Sequence, residues 1–345
     1  MSGTESSASV FTARVREQMH DILEREFRRT NLRGRAPELE KVIRQYIDRP
    51  AKLLRPRLLL ETATAYGAEV SPPLLEIAAA TELLHTFALL HDDCIDGAHG
   101  REVPSSSGDE AFEMRLLAGD FLHALAYAVI AELVVTRALP AAVLEIVRSV
   151  SLDTVAGQAM DLELSRRPIS ARSAAELYEL YDLKTGRYSF DAPMQIGALY
   201  AGSPQRDQAA LSELARYLGR AYQLYDDMVD TEQLLSAPRE RHEPVASWEL
   251  NLVAAMLAEK EADGMREIGE LSRVLERIEP EEVREFAEPM LAELLSYAER
   301  QTRRLSLERA SARRLLGAAT QHLCVNGREA RAIRSCNSDR DDLHV

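Results

Sequence analysis

Lysine is scarce in this chain. Only Lys41, Lys52, Lys184 and Lys260 occur among 345 residues, and nearly every other positive charge is an arginine. An ammonium is a compact point charge and a guanidinium a planar fork, so a lysine kept in such a chain marks a place where the difference matters. A basic excess is missing too: the formal net charge is −14. No nucleic-acid partner is expected, because a phosphate backbone needs a basic face to meet it. The three cysteines, Cys94, Cys324 and Cys336, form no CxxC pair and no Cys/His cluster. That argues against a zinc site and fits a reducing cytoplasm. The N-terminal MSGTESSASVF has no apolar stretch of the signal-peptide kind. No uncharged run reaches the ~18 residues of a membrane span, so none is expected. Alternating strand patterns and internal repeats are also missing.

What remains is helix after helix. Apolar residues make up 46% of the chain and charged residues 28%, an ordinary balance for a globular protein. Long stretches of Ala, Leu, Glu and Arg carry high helix propensity. Gly and Pro punctuate them around Gly34–Pro37, Gly67–Pro73, Gly100–Gly108, Pro168, Gly202–Pro204, Ser236–Pro244 and Pro280. No break resembles an interdomain linker. The reading is therefore one all-α domain over residues 1–345, with 1–10 and about 330–345 as loose ends. The stretch from Leu74 to Asp96 is apolar on every side until His91, interrupted mainly by Glu82 and His85. Such a helix belongs in the middle of a bundle. That it ends in a burst of aspartates points to a cavity with a charged mouth.

Two aspartate boxes carry the chemistry. Asp92-Asp93-Cys94-Ile95-Asp96 and Asp226-Asp227-Met228-Val229-Asp230 both have the form DDxxD. Residues four apart share a helix face, so Asp92 pairs with Asp96 and Asp226 with Asp230. Like charges at that spacing are mildly destabilising, and the end of an apolar helix, where both boxes are expected, is unfavourable for anions. A divalent cation between the carboxylates resolves both costs, and magnesium commonly bridges carboxylates to a diphosphate. A single box could be a solvated acidic face; two, each after an apolar helical stretch, favour a shared metal site. His85 lies two turns before Asp92 and Gln223 one turn before Asp227.

Six ordered signals together resemble the trans-type polyprenyl diphosphate synthase family. They are Lys52-Leu-Leu-Arg55-Pro56; Glu82-Leu-Leu-His85-Thr86; His91-Asp92-Asp93 through Asp96; Gly157-Gln158 with Asp161; Lys184-Thr185-Gly186; and Gln223 with Asp226-Asp227 through Asp230. The resemblance implies a single large antiparallel helix bundle around a deep central cavity, usually a homodimer. It implies three Mg²⁺ ions that grip an allylic diphosphate, and attack on the resulting carbocation by isopentenyl diphosphate. Asp92, Asp96 and Asp226 take the place of the main metal ligands, with Asp93, Asp227 and Asp230 as weaker or supporting partners. Lys184 takes the allylic diphosphate; Thr185 and Gln223 stand near the reacting carbons. Lys52, Arg55, His85 and Arg101 belong to the isopentenyl diphosphate pocket. Phe87, five residues before Asp92, resembles the floor of short-chain synthases, with C20 the expected product and C15 the next.

The pattern breaks twice. Where the family has RRGxP, this chain reads Gly100-Arg101-Glu102-Val103-Pro104, so one arginine is gone and a glutamate has arrived. After the second box no Gly-Lys lid occurs, and no lysine lies between Lys184 and Lys260. Three readings stay open: a short-chain prenyl diphosphate synthase; an enzyme that ionises an allylic diphosphate for cyclisation or for another acceptor, such as an aromatic ring; and a partner subunit of a heteromeric synthase.

Overall fold

In a computed structural model, residues 3–98, 109–167, 173–236, 252–253, 256 and 278–323 are described. All the elements among them are helical. In chain order they are α1 (Gly3–Thr30), α2 (Leu32–Arg35), α3 (Pro37–Ile47), α4 (Leu54–Ala65), α5 (Pro72–Ala98), α6 (Asp109–Val135), α7 (Ala142–Ser165), α8 (Ala174–Tyr181), a π-helical stretch (Asp182–Asp191), α9 (Ala192–Tyr200), α10 (Gln208–Ser236), α11 (Pro280–Thr302) and α12 (Arg309–Thr320), with short 3₁₀ turns at Gln205–Asp207 and Gln321–Leu323. The breaks at Gly34–Pro37, Gly67–Pro73, Gly202–Pro204 and Pro280 fall where Gly and Pro placed them. Those expected around Gly100–Gly108, Pro168 and Ser236–Pro244 lie outside the described residues or at their edge. α1 begins at Gly3, inside the stretch expected as a loose end. Pro37 and Pro280 sit at the first turns of α3 and α11, where a missing N–H costs nothing. Ser173 and Glu176 close a reciprocal capping box on α8. The ten-residue π-helical stretch was not legible in the sequence.

The described residues form two compact units. The first holds residues 1–148 and 193–203. Its centre is α5, packed against α1, α3, α4 and α6. Leu74, Ile77, Leu83 and Leu90 of α5 are fully buried, each contributing roughly 1.5–3 kcal/mol relative to exposure. α5 and α6 run antiparallel: Phe87 meets His123, His91 meets Gly119, and the Cys94 thiol reaches the Phe112 carbonyl. By length and composition, Pro72–Ile95 and Phe112–Val135 are each apolar enough to cross a membrane, although neither is an unbroken uncharged run. The first is mostly buried in the protein; only 44% of the second is. Phe112, Leu116 and Leu117 are left exposed on α6.

The second unit holds residues 149–192 and 204 onward. Its spine is α10, packed antiparallel against both α11 and the π-helical stretch. Glu232 pairs with Arg284 and Tyr217 stacks on Tyr297, while Asp182 pairs with Arg220 and Asp191 accepts from Ser212. Asp207, fully buried, accepts the N–H and hydroxyl of Ser306 and pins the turn after α11.

Candidate active site

In the first unit, α5 delivers the first box. Asp92 and Asp93 are half-buried, and Asp96 stands in the helix's last turn. Asp93 accepts the hydroxyl of Tyr46 from α3, and Arg49 Nη1 lies 3.4 Å from the same oxygen. The Arg49 guanidinium covers the Tyr46 ring at 3.6 Å. Burial and the neighbouring carboxylate push the Tyr46 hydroxyl up to about 12, so it remains a donor.

Arg55, Glu82 and His85 form a second group in this unit. Lys52 is exposed and Arg55 half-buried in the first turn of α4. Between them Leu53 has φ of 48°, a left-handed backbone that strains a bulky residue. Arg16 of α1 donates to the carbonyls of Arg49 and Ala51 at 3.4–3.5 Å and so holds the approach to Lys52. Glu82 is buried; its desolvation raises its carboxyl, opposed by the charges of Arg55 and Arg16. Desolvation, helped by Arg55, holds His85 well below 6.5, so it is a neutral imidazole. Phe87 lies 4.7 Å, ring to ring, from both His91 and His123, and His123 lies 4.9 Å from Tyr127. Arg101 and Glu102 lie outside the described residues.

In the second unit, α10 carries the second box. It runs on to Ser236, so Asp226 and Asp230 are not in its last turn. The dipole penalty expected there fades within one turn and bears more on α5 than on α10. Asp226 is half-buried and Asp230 exposed, but Asp227 faces inward at 5% exposure. It accepts the Tyr181 hydroxyl, Gln223 Nε2 at 3.2 Å and the Leu252 N–H at 2.7 Å. Burial pushes its carboxyl up to about 7 against those three donors. The Thr185 hydroxyl donates to Gln223 Oε1 at 3.1 Å, so Thr185, Gln223 and Asp227 form one chain of hydrogen bonds.

Lys184 is ion-paired with Asp161 of α7. Gly157, one turn before Asp161, explains the approach: a Cβ there would stand 2.9 Å from the Lys184 backbone nitrogen. Gly219 does the same for α10, where a Cβ would stand 2.6 Å from the Gly186 Cα. These glycines bring the three residues Lys184-Thr185-Gly186 against α7 and α10. The π-helical stretch that carries them is a form often found at functional sites. Tyr46, Tyr181 and Arg16 gave no signal in the sequence, since nothing local says which side chain a tyrosine or arginine will meet. Glu82 did give one, as a charge in an apolar helix.

Among the described residues no three His, Cys, Asp or Glu side chains converge in a way that could hold a metal ion. The donors on offer are still carboxylate oxygens, the hard ligands that magnesium takes. Magnesium ordinarily uses one or two carboxylates and completes its shell with water and phosphate oxygens. The first and fifth residues of each box are aspartates, whose carboxylates are donors of that class.

The family described as polyprenyl synthetase matches residues 36–237. A geranylgeranyl diphosphate synthase from Methanosarcina mazei is 30% identical over 207 residues, 60% of this chain and 61% of that protein. A farnesyl diphosphate synthase from Geobacillus stearothermophilus is 31% identical over 224 residues, 62% of this chain and 72% of that protein. The chain thus spans about three fifths of the first relative's length and somewhat under three quarters of the second's. Among solved structures, a geranylgeranyl pyrophosphate synthase from Corynebacterium glutamicum, complexed with isoprenyl diphosphate and magnesium, has a TM-score of 0.72 at 19% identity, covering 92% of this chain and 99% of that one. At that identity the likeness speaks for the fold, which is all-helical.

Proposed function

The chain belongs to the polyprenyl synthetase family, and from that membership we propose that it is a magnesium-dependent short-chain prenyltransferase. It joins an allylic diphosphate to isopentenyl diphosphate and releases pyrophosphate. The observation that carries this reading is the shared layout of the two boxes. Each stands on a long helix with its second aspartate engaged by a tyrosine from a neighbouring element.

Magnesium, expected as three ions, would supply positive charge to neutralise the diphosphate, which leaves with the electron pair of the allylic C–O bond. Asp92, Asp96 and Asp226 would hold the metal, and Asp93, Asp227 and Asp230 would support them. Lys184 contributes an ammonium to the allylic diphosphate. Thr185 and Gln223, fixed by their mutual hydrogen bond, present oxygen dipoles beside the allylic carbons, where positive charge develops. Lys52, Arg55 and Arg101 grip isopentenyl diphosphate, and neutral His85 donates a hydrogen bond to it. The isopentenyl double bond attacks the allylic carbon, and the departing pyrophosphate accepts the proton that restores a double bond.

Phe87 closes the chain-length pocket, braced by His91 and His123; the product is C20, with C15 next. A second copy of the chain covers the exposed Phe112, Leu116 and Leu117 of α6, which makes the enzyme a homodimer. A second reading draws on Glu102, which follows Arg101 where the family has paired arginines. It weakens the isopentenyl site and favours cyclisation or another acceptor. The test is incubation with Mg²⁺ and C5, C10, C15 or C20 allylic diphosphates, with and without isopentenyl diphosphate. Longer diphosphates only when isopentenyl diphosphate is present support the first reading. Hydrocarbons or alcohols without it support the second, and no turnover under any condition refutes both.

A further inference from the structure

The second aspartate of each box differs from the other two. Positions one and five of DDxxD lie about one turn apart, whereas position two stands about 100° around the axis. In both units a tyrosine meets the carboxylate at that second position. Tyr46, near the end of α3, donates to Asp93 Oδ2, and Tyr181, the last residue of α8, donates to Asp227 Oδ2. The two tyrosines share no sequence context, and their helices belong to different units. What they share is the acceptor's place in the box.

The rest of each carboxylate's hydrogen bonding points the same way. Asp227 Oδ2 also takes the Leu252 N–H at 2.7 Å, and its Oδ1 takes Gln223 Nε2 at 3.2 Å. With both oxygens engaged and only 5% exposure, that carboxylate has no open side for a hydrated cation. Asp93 Oδ2 is shared between Tyr46 and Arg49, and the Arg49 guanidinium lies flat on the tyrosine ring.

We infer that Tyr46 and Tyr181 are positioning residues that hold the second aspartate of each box as an anchor instead of a metal ligand. The anchor sets the rotation of the helix from which the first and fifth carboxylates reach magnesium and diphosphate. Magnesium demands near-ideal octahedral geometry at about 2.0–2.1 Å, so a small rotation of the supporting helix spoils the fit. A pair of tyrosines that merely satisfied buried carboxylates would have no effect on metal affinity. The inference rests on the proposed function, because that reading makes the boxes a magnesium–diphosphate site.

The experiment is calorimetric titration of Mg²⁺ with inorganic pyrophosphate into the full-length protein, with thermal unfolding followed in parallel. Asp92→Asn and Asp226→Asn remove a ligand charge and weaken binding by about a hundredfold. Asp93→Asn and Asp227→Asn keep an amide oxygen for the tyrosine and lose no more than the tyrosine variants do; in Asp227→Asn the Gln223 carboxamide turns over to meet the new NH₂, which reverses its hydrogen bond with Thr185. Tyr46→Phe and Tyr181→Phe weaken binding by about tenfold, as losses of supporting hydrogen bonds around a metal do. Combining Tyr46→Phe with Asp93→Ala adds nothing beyond the larger single loss, because the two act as one unit. Equal losses in Asp93→Asn and Asp92→Asn, or in Asp227→Asn and Asp226→Asn, would make the second aspartates ligands and overturn the inference. Phenylalanine variants that bind like wild type would overturn it as well. Wild-type protein that takes up no Mg²⁺ with pyrophosphate would overturn the proposed function itself and the inference with it.

Discussion

Lys184 donates its ammonium to the carboxylate of Asp161 across the contact that Gly157 makes possible between α7 and the π-helical stretch. One of only four lysines in the chain is thus held in place by a carboxylate before any diphosphate arrives. Lys184→Ala should lower kcat/KM for the allylic diphosphate by about tenfold to a hundredfold, the worth of a charge-assisted hydrogen bond of roughly 1.5–3 kcal/mol. Lys184→Arg should rescue little, since a planar fork does not fit a slot shaped for a point charge. Gly157→Ala pushes a methyl into the Lys184 backbone. It should cost about 1–3 kcal/mol of stability, visible as a lower unfolding midpoint. Steady-state kinetics and thermal melts of the three variants check this.

The metal site gives a sharper expectation. Asp92→Ala and Asp226→Ala should each reduce turnover by orders of magnitude while the circular dichroism stays helical. Each substitution removes one of two like charges a helical turn apart, which does not destabilise a helix. EDTA should abolish activity and Mg²⁺ restore it. Full activity in the double variant would refute the enzyme reading.

Phe87 lies five residues before Asp92, about 7.5 Å along the axis at roughly 1.5 Å per residue. Its ring is packed between His91 and His123, so removing it opens space between α5 and α6 without dismantling either helix. Phe87→Ala should lengthen the product by one or more C5 units. Chromatography of the dephosphorylated products decides; an unchanged profile would place the limit elsewhere.

His85 should show its burial in its pH dependence. Its folded pKa is depressed from 6.5 by desolvation and by Arg55. The stability it contributes is therefore complete above pH 6.5 and is lost as pH falls toward the folded value, because the unfolded chain takes up a proton that the folded protein refuses. Melts between pH 5 and 7.5 should show a shallower decline for His85→Gln than for wild type. Glutamine keeps a neutral donor, so His85→Gln should also retain more isopentenyl-dependent activity than His85→Ala.

Glu102 follows Arg101 in the sequence, where the family resembled has two arginines. Glu102→Arg should tighten isopentenyl diphosphate by about tenfold to a hundredfold and leave the allylic diphosphate unchanged. Calorimetric titration of both substrates tests it. Wild-type binding that is already micromolar would show that the glutamate does no harm.

How much of this was legible in the sequence depended on the range of the interaction. The helices and their breaks follow from propensity, Gly and Pro, all of which act within a few residues. The boxes were visible because their spacing has meaning on a single helix, whereas Gly157 with Asp161 and Lys184-Thr185-Gly186 were visible only as parts of the resemblance to a family. The sequence also marked Glu82 as out of place in an apolar run. It could not show that Asp161 would meet Lys184, that Asp227 would turn inward to Tyr181 and Leu252, or that Asp93 would be held by Tyr46. Nor did it show that ten residues around Lys184 would widen into a π-helical stretch. Those outcomes join residues 23 to 47 positions apart. They depend on which helices pack together and at what rotation, and that is decided by close contacts such as Gly219 on Gly186, where a single methyl group would not fit.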